Sequence, residues 1–378
     1  MADVKRLASN IRFYRKQKMI TQRDLAQELN ISPQSVSKWE RGSAIPDVEN
    51  LCRIAQLLDV SVDALLDSRE LQQRLLIGVD GGGSKTEFVL FTDKGYVLNR
   101  VIRAGCNPNT IGLEEAIAIL KSGIDELLLS GKSAVGIFIG TAGLSTGNYG
   151  ETIRKALKRV YPNTKVACKT DILNVIGSAT QQESCIAAIC GTGSVVYASK
   201  PGKLTRIGGW GYLLDKGGSG YDIGKDALTT ALAQRDGIGS ESLITALVEE
   251  KLGCSPWDGI QKIYQGGTSY IASFAPVVFE AYRRGDPEAC VILERNASRL
   301  AELINCAYER DTCEHTVIIA GSVIEKNSDY LQMLRSRLHP KLQVVVPDRP
   351  QSFGACVQCC RLCGISADGL FEHYTQEG

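Results

Sequence analysis

The chain has 378 residues, of which 44% are hydrophobic and 22% charged, and its net charge is +1. These values are ordinary for globular proteins and exclude a disordered chain, while the length predicts two or three domains. The sequence contains no run of 18 apolar residues and does not open on a secretory signal, so we expect a cytoplasmic protein without a membrane span. The 13 cysteines are then expected to be reduced thiols, and three histidines leave little room for histidine-cluster chemistry.

Positive charge is concentrated at the start of the chain. Residues 1–41 contain nine Lys or Arg against four Asp or Glu, a surplus of five. Thr21, with Asp24 three positions later, predicts a helix start with a capping box. A short turn follows that helix, and Ser32 before Pro33 predicts the start of the next one. Two helices joined by so tight a turn predict a helix-turn-helix.

The stretch TQRDLAQELNISPQSVSKWERGSAIP, residues 21–46, resembles the Cro/C1-type (xenobiotic-response-element) repressor domain. The likeness covers about residues 5–67 and implies that the second helix enters the major groove of operator DNA. It also implies that Gln22 lies over a phosphate at a helix N-terminus. The full set of implied DNA-contacting residues is Gln22, Gln34, Ser35, Ser37 and Lys38. Val36 and Trp39 are expected to face the core. A homodimer would be needed to read two half-sites, and a helical bundle for protein contacts is the alternative.

A glycine-rich loop opens the remainder of the chain. After a short polar linker at 69–74, the segment IGVDGGGSKTEFVLF, residues 77–91, predicts strand, glycine loop and strand. A P-loop is excluded, because its two required glycines would fall at Val79 and Ser84. A glycine hairpin can still bind phosphate, since without Cβ atoms its backbone N–H groups can approach the oxygens.

The following segments have the alternating texture of an α/β protein. Helices are predicted at 114–129 and 150–160, and strands at 96–102, 135–139 and 165–168. The pattern of strand, glycine turn and strand returns at 185–199, and residues 316–327 predict a strand, a small-residue turn and a helix. The recurrence predicts two similar lobes that face each other across a nucleotide cleft.

This order of elements resembles the sugar kinase, Hsp70 and actin superfamily, and the residues most resemble the N-acetylglucosamine kinase and BadF-type ATPase family. The resemblance covers about residues 75–365. Four stretches carry it: GVDGGGSKTE at the first phosphate motif, CGTGS at the second, GGWGYLL with GGSGYDIG at a family hallmark, and IAGSV at the adenosine motif.

The two resemblances together imply a fold class. It is an all-α helix-turn-helix domain followed by an α/β two-lobed, ribonuclease H-like fold with an interlobe nucleotide cleft. The implied boundaries are 1–68 for the DNA-binding domain, 69–74 for the linker, 75–184 for the N-lobe, joined by a C-terminal helix at 352–366, and 185–351 for the C-lobe.

The family resemblance also implies roles for individual residues. Asp171 would be the catalytic base that accepts the proton of a sugar hydroxyl as it attacks the γ-phosphate of ATP, and Asp80 would hold Mg²⁺. ATP and its phosphates would be bound by Gly82, Gly83, Ser84, Lys85, Thr86, Gly191, Thr192, Gly193, Gly321 and Ser322. The sugar would be bound by Asn107, Asp171, Thr192, Gly193 and Asp215. The alternatives are a turn-capping Asp80, a helix-capping Asp171, a solvated Lys85 and a turn residue at Asn107.

Two departures from the family pattern lie on the sugar side. Where the family reads GDEGS, this chain has Asp215 one position earlier and Lys216 in place of an acid. Ala142 stands where a sugar-binding serine could stand. The nucleotide side is unaltered.

We therefore predict a sugar-responsive transcriptional regulator whose kinase-like domain phosphorylates an N-acetylated amino sugar with ATP and Mg²⁺. The alternatives are a non-catalytic sugar and ATP sensor, or a BadF-type ATPase that activates a partner enzyme. Related activators hold an iron–sulfur cluster through a cysteine where this chain has Ala188, which disfavours the last alternative.

A cysteine stripe near the end of the chain has two readings. Cys356, Cys359, Cys360 and Cys363 have the spacing of one helix face, which favours packing in the core. A metal site is the alternative.

Overall fold

The computed structural model describes residues 4–18, 20–66, 74–128, 133–144, 147–182, 184–215, 217–310 and 315–374. Lys216 and nearly all of the predicted linker at 69–74 lie outside the described residues. No helix within these ranges is long and apolar enough to cross a membrane.

The N-terminal part is a bundle of short helices around its own core. Its elements are α1 (Val4–Gln17), α2 (Gln22–Leu29), α3 (Pro33–Glu40), α4 (Val48–Leu58) and α5 (Val62–Leu66). The apolar faces of these helices meet at fully buried residues such as Ile11, Leu25, Val36 and Ile54. The predicted burial of Val36 and Trp39 is confirmed.

The next part is built on a five-stranded mixed sheet. Its strands are β1 (Leu75–Gly81), β2 (Lys85–Thr92), β3 (Val97–Ala104), β4 (Ala134–Thr141) and β5 (Lys165–Thr170), in the order β3-β2-β1-β4-β5. Strands β1 to β3 are antiparallel, whereas β4 and β5 run parallel to β1. The helices of this lobe are α6 (Pro108–Ile111), α7 (Leu113–Leu127), α8 (Tyr149–Val160) and α9 (Ile172–Ala179).

A second sheet repeats that topology. Its strands are β6 (Cys185–Cys190), β7 (Ser194–Lys200), β8 (Lys203–Ile207), β9 (Thr316–Ala320) and β10 (Gln343–Val345), in the order β8-β7-β6-β9-β10. Strands β6 to β8 are again antiparallel, and β9 and β10 again continue in parallel. The predicted recurrence of the hairpin pattern is therefore confirmed as a duplicated sheet.

The second lobe contains more helices than the first. They are α10 (Gly220–Arg235), α11 (Leu243–Leu252), α12 (Ile260–Ala272), α13 (Ala275–Arg283), α14 (Pro287–Arg310), α15 (Ser322–Glu325) and α16 (Ser328–Arg335), and the chain then continues through α17 (Gln351–Cys363) and α18 (Asp368–His373). Helices α10 to α14 pack with the sheet in the largest hydrophobic core.

Two helices connect the lobes. Helix α9 packs Ile172, Val175 and Ile176 against the second sheet. Helix α17 packs against α9 on one side and against β1 and β4 of the first sheet on the other. The cysteine stripe lies in this second interface, where Cys356, Cys359 and Cys360 are buried, so the predicted packing role is confirmed.

Candidate DNA-binding and phosphotransfer sites

The helix-turn-helix is fixed by its caps. The Thr21 hydroxyl accepts the Asp24 N–H, and the Asp24 carboxylate accepts the Thr21 N–H, which completes the predicted capping box. Ser32 accepts the Ser35 N–H at 3.2 Å, and Pro33 is the first residue of α3. The caps set where α3 begins, and with it which of its side chains face outward.

The residues expected to contact DNA are placed on two helices. On α3, Gln34 and Lys38 are exposed, while Ser35 and Ser37 are partly exposed. On α2, the Gln22 amide donates to the Glu40 carboxylate at 2.7 Å, and Glu40 is also ion-paired with buried Arg15. This network uses one of the two N–H donors of the Gln22 amide, so the contact of Gln22 with a phosphate stays a prediction.

The first glycine loop is a tight hairpin between β1 and β2. The Gly82 N–H donates to the Lys85 carbonyl at 2.9 Å, and Gly83, Ser84 and Lys85 are exposed at the tip. Thr86 is placed differently from the expectation. Its side chain is buried and its hydroxyl donates to the Ala104 carbonyl at 2.8 Å, since it falls on the inward face of the strand. It offers no hydroxyl to a ligand in the loop.

Asp80 lies near the end of β1, beside the glycine loop. Its Oδ1 accepts a hydrogen bond of 2.8 Å from the Asn174 amide on α9. Burial is the main cause that raises the pKa of Asp80 to about 6. The Asn174 hydrogen bond opposes this shift, and the nearby Asp171 carboxylate adds to it. A carboxylate held in this way favours a bound proton or cation.

The raised pKa predicts a pH dependence of stability. Because the pKa in the folded protein exceeds the ordinary value near 3.9, the folded state retains this proton while the unfolded state loses it. The contribution of Asp80 to stability is present below about pH 4 and is lost as the pH rises through about 6.

We expect Asp80→Asn to match the parent protein at pH 4 and to exceed it by about 2 kcal/mol in unfolding free energy at pH 7. Denaturant unfolding of both proteins across this range measures the difference. Asp236→Asn, at an exposed position, is the control. A gap that stays constant with pH would contradict the prediction.

Asp171 follows β5 directly and precedes α9. Although it occupies the cap position, its side chain makes no capping hydrogen bond; its Oδ1 instead accepts the Thr170 hydroxyl at 3.0 Å. Burial raises the pKa of Asp171, and the hydrogen bond from Thr170 opposes that shift. A carboxylate with a raised pKa is a better general base near neutral pH than an ordinary aspartate.

A cavity of about 460 Å³ brings Asp171 together with residues of both lobes. Asn107 and Ala142 line it from the first lobe, and Gly193 lines it from the second hairpin. Asn107 also caps α6, where its Oδ1 accepts the Asn109 N–H at 3.0 Å. The structure thus assembles in one space Asn107, Asp171 and Gly193 from the expected sugar set.

The second glycine hairpin borders another cavity, of about 450 Å³. Within the hairpin, the Gly191 N–H donates to the Gly193 carbonyl at 2.9 Å. Two further bonds hold the hairpin against the start of α10, because the Gly191 and Thr192 carbonyls accept the N–H groups of Gly220 and Tyr221. Gly191 and Thr192 line this cavity.

The opposite wall of the same cavity contains Ser322 and Val323. Gly321, just before them, has a φ of 113°, a backbone conformation that favours glycine. Its N–H donates to Glu325 at 2.8 Å. The cavity therefore joins the second hairpin to the turn after β9, the two places where the sequence predicted phosphate and adenosine contacts.

Asp215 lies apart from Asp171, in a smaller cavity of about 200 Å³. Its Oδ2 accepts the Gly211 N–H at 2.9 Å. Thr192 and Gly193 line this cavity as well, so it adjoins the second hairpin.

Several residues at these sites escaped the sequence reasoning, among them the following three. Asn174 holds Asp80, and Arg206 and Trp210 line the cavity of Asp171. Trp210 belongs to the GGWG stretch, so that motif was a usable signal. No sequence signal pointed to Asn174, because only the packing of α9 brings this residue close to Asp80 on β1.

The paired sheets, the linking helices and the cleft-lining hairpins define the class of the C-terminal part: the sugar kinase, ROK and actin-like fold. The structure of a Chromobacterium violaceum protein, provisionally identified as an N-acetylglucosamine kinase, is similar at a TM-score of 0.59 and 25% identity, over 75% of this chain and 98% of that one. A ROK family transcriptional regulator, described as a homologue of the E. coli MLC protein, shares the fold at a TM-score of 0.52 and 14% identity, over 98% and 100% of the two chains.

The sequence comparisons give the family. The profile of the BadF/BadG/BcrA/BcrD ATPase family matches residues 77–356, and a helix-turn-helix profile matches residues 11–65. The N-acetylmuramic acid/N-acetylglucosamine kinase of Clostridium acetobutylicum is 30% identical over 302 residues, which are 75% of this chain and 97% of that protein. This chain belongs to the BadF/BadG/BcrA/BcrD ATPase family and has the architecture of a transcriptional regulator with a kinase-like domain.

Proposed function

We propose that this regulator binds Mg²⁺·ATP and an N-acetylated amino sugar in its interlobe cleft and transfers the γ-phosphate to the sugar. The sugar class is taken from the Clostridium relative and from the resemblance of the motifs. The observation that carries the proposal is the cavity in which Asp171, Asn107 and Gly193 meet.

The nucleotide is proposed to lie in the cavity between the second hairpin and the turn after β9. Gly191 and Thr192 would approach its phosphates, and Gly321 and Ser322 its adenosine. The first hairpin would add the exposed N–H groups of Gly83 and Ser84 and the ammonium group of Lys85. In this arrangement both lobes contact one ligand, so ligand binding favours a closed cleft.

Mg²⁺ is proposed to be held by Asp80. Asp80 fits this cation for two reasons. Mg²⁺ prefers carboxylate oxygens, and the positive charge of the cation would stabilise the ionised carboxylate that burial disfavours. The cation would neutralise charge on the β- and γ-phosphates. Asn174 would orient the Asp80 carboxylate through its amide.

Asp171 is proposed to accept the proton of the attacking sugar hydroxyl. Phosphoryl transfer depends mainly on positioning and charge stabilisation, so one base and correctly placed donors form a sufficient set. Asn107 would orient the sugar hydroxyls from the first lobe, and Thr192 and Gly193 would bound both the γ-phosphate and the sugar. Asp215 would bind the sugar from the adjoining cavity.

The direct test is ADP release from ATP and Mg²⁺ with N-acetylglucosamine, N-acetylmuramic acid, N-acetylmannosamine, glucosamine or glucose. Turnover with an N-acetylated amino sugar, above the rate without sugar, supports the proposal. ADP release that no sugar stimulates would overturn the transfer step.

The second candidate is a sensor that binds ATP and sugar without catalysis. One observation favours it: Ala142 lines the Asp171 cavity and supplies a methyl group, without a hydroxyl for the sugar. A sugar that raises the melting temperature of the protein but never stimulates ADP release would identify this case.

The regulatory output is proposed to act through the helix-turn-helix, as a homodimer on operator DNA. A ligand can shift an equilibrium between two conformations only if it binds them with different affinities. A ligand that contacts both lobes would bind the closed cleft more tightly than the open one, which supplies this difference in affinity. Operator binding measured with and without the sugar tests the coupling.

The proposed recognition helix gives a separate prediction. Gln34 is exposed near the start of α3, where an amide can bond an adenine edge. We expect Gln34→Ala to weaken specific DNA binding by about 2 kcal/mol with no change in ATP affinity. Mobility shifts at fixed salt, on operator fragments selected with the parent protein, provide the measurement.

The matched control for Gln34 is Gln56→Ala. Gln56 is exposed on α4, so the same change is made in the same domain away from α3. Equal affinities for the parent and Gln34→Ala proteins would exclude α3 as the reading helix.

A further inference from the structure

The cavity that contains Asp171 has an unusual charge pattern. Among the described residues that line it, Asp171 is the one acid and Arg206 is the one base. The other lining residues are neutral, and they include Asn107, Asn109 and Trp210. A neutral sugar could form hydrogen bonds with Asp171, but it would give the guanidinium group of Arg206 no counter-charge.

Arg206 is held in a fixed orientation. Its Nε donates to the Gly208 carbonyl at 2.9 Å, and its guanidinium carbon lies 4.6 Å from the centre of the Trp210 ring. The turn that creates this contact depends on Gly208 and Gly209, whose φ angles are 70° and 73°. The stacked arrangement orients the guanidinium plane before any ligand arrives.

The terminal nitrogens of Arg206 remain available. Within the described ranges, no carboxylate lies within ion-pair distance of these nitrogens. The hydrogen bond to the Gly208 carbonyl uses Nε and leaves the two terminal nitrogens unused. The residue is only partly exposed. A partly buried guanidinium with N–H groups to spare matches a carboxylate, which it can bind through two parallel hydrogen bonds.

Arg206 and Asp171 line the same cavity without contacting each other through a hydrogen bond or an ion pair. The groups that set the pKa of Asp171 are its own burial, Thr170 and backbone N–H groups, without Arg206. A ligand can therefore present a hydroxyl to Asp171 and, at the same time, a different group to Arg206.

We propose that the preferred sugar carries a carboxylate on a ring substituent and that Arg206 is the residue that selects it. This inference rests on the proposed function, since it assumes that the sugar occupies the Asp171 cavity. It assigns to Arg206 and Trp210 a role in specificity, with Trp210 keeping the guanidinium in position.

N-acetylmuramic acid and N-acetylglucosamine form a matched pair of probes, because they differ by one lactyl ether that carries a carboxylate. Calorimetric binding is measured for both, with ADP release recorded in parallel. We expect the parent protein to bind the acidic sugar at least about tenfold more tightly, a preference that weakens with salt.

Arg206→Met keeps the length and the apolar stem of the side chain, while Arg206→Lys keeps the charge. We expect the methionine variant to lose the preference and to bind the neutral sugar within about twofold of the parent, and the lysine variant to recover part of the preference. An unchanged stabilisation by ATP in both variants would show that the fold is intact.

Several outcomes overturn the inference. They are equal affinity of the parent protein for the two sugars, binding of neither, or an equal loss for both in Arg206→Met. A fall in turnover with both sugars at unchanged binding would place Arg206 on the phosphoryl group instead. Preferential binding without ADP release would leave the inference standing and overturn only the transfer step.

Discussion

Asp171→Asn is expected to abolish sugar-stimulated ADP release, with a fall in turnover of about 10³-fold. The asparagine has nearly the same shape and can still accept the hydrogen bond from the Thr170 hydroxyl. It cannot accept the proton of the sugar hydroxyl at the pH of the assay. The loss should therefore appear in the rate of transfer, while ATP affinity changes little because Asp171 does not line the nucleotide cavity.

The measurement is a steady-state assay with whichever sugar gives turnover, paired with a calorimetric titration of ATP. Asp236→Asn makes the same chemical change at an exposed position at the end of α10. If the Asp171 variant kept more than a tenth of the parent turnover, general-base catalysis by this residue would be untenable. A capping role for its side chain would not account for a loss, because it makes no capping bond.

The hairpins, their flanking strands and the helix-turn-helix were predictable because local chemistry dictates them. The Thr21 and Ser32 caps, for example, are read directly from residue type and spacing, and both are present. The strand alternation around the glycine turns likewise predicted β1, β2, β6 and β7. These strands and the turns between them contain Asp80, Gly82 and Gly191, so much of the candidate nucleotide site could be predicted.

The remainder depends on tertiary contacts. No helix was predicted between the second hairpin and β9, and α10 to α14 fill that interval. Whether a loop residue of that region meets the nucleotide depends on how those helices pack. Thr86 shows the same limit on a smaller scale, because one position along a strand decides between the loop and the core.

The contact between α9 and α17 could not be predicted from the sequence. It leads to a prediction of a large loss of stability. The two helices approach at Gly177 and Gly354 so closely that backbone meets backbone. A Cβ added at Gly177 would lie 2.6 Å from the Gly354 carbonyl oxygen, and one at Gly354 would collide with the Asn174 carbonyl. Neither obstacle is a flexible side chain, so the helices themselves would have to separate.

Gly354→Ala is therefore expected to lower the free energy of unfolding by about 3 kcal/mol, although alanine is the better helix former. Denaturant unfolding followed by circular dichroism measures the loss. Gly83→Ala is the control for stability, since a Cβ there meets no atom within 4 Å. Separation of the helices would also displace Asn174 from Asp80. Because that hydrogen bond lowers the pKa of Asp80, its loss should raise the pKa further and enlarge the pH-dependent part of the stability. A Gly354 variant as stable as the parent would mean that α9 and α17 do not pack through their backbones.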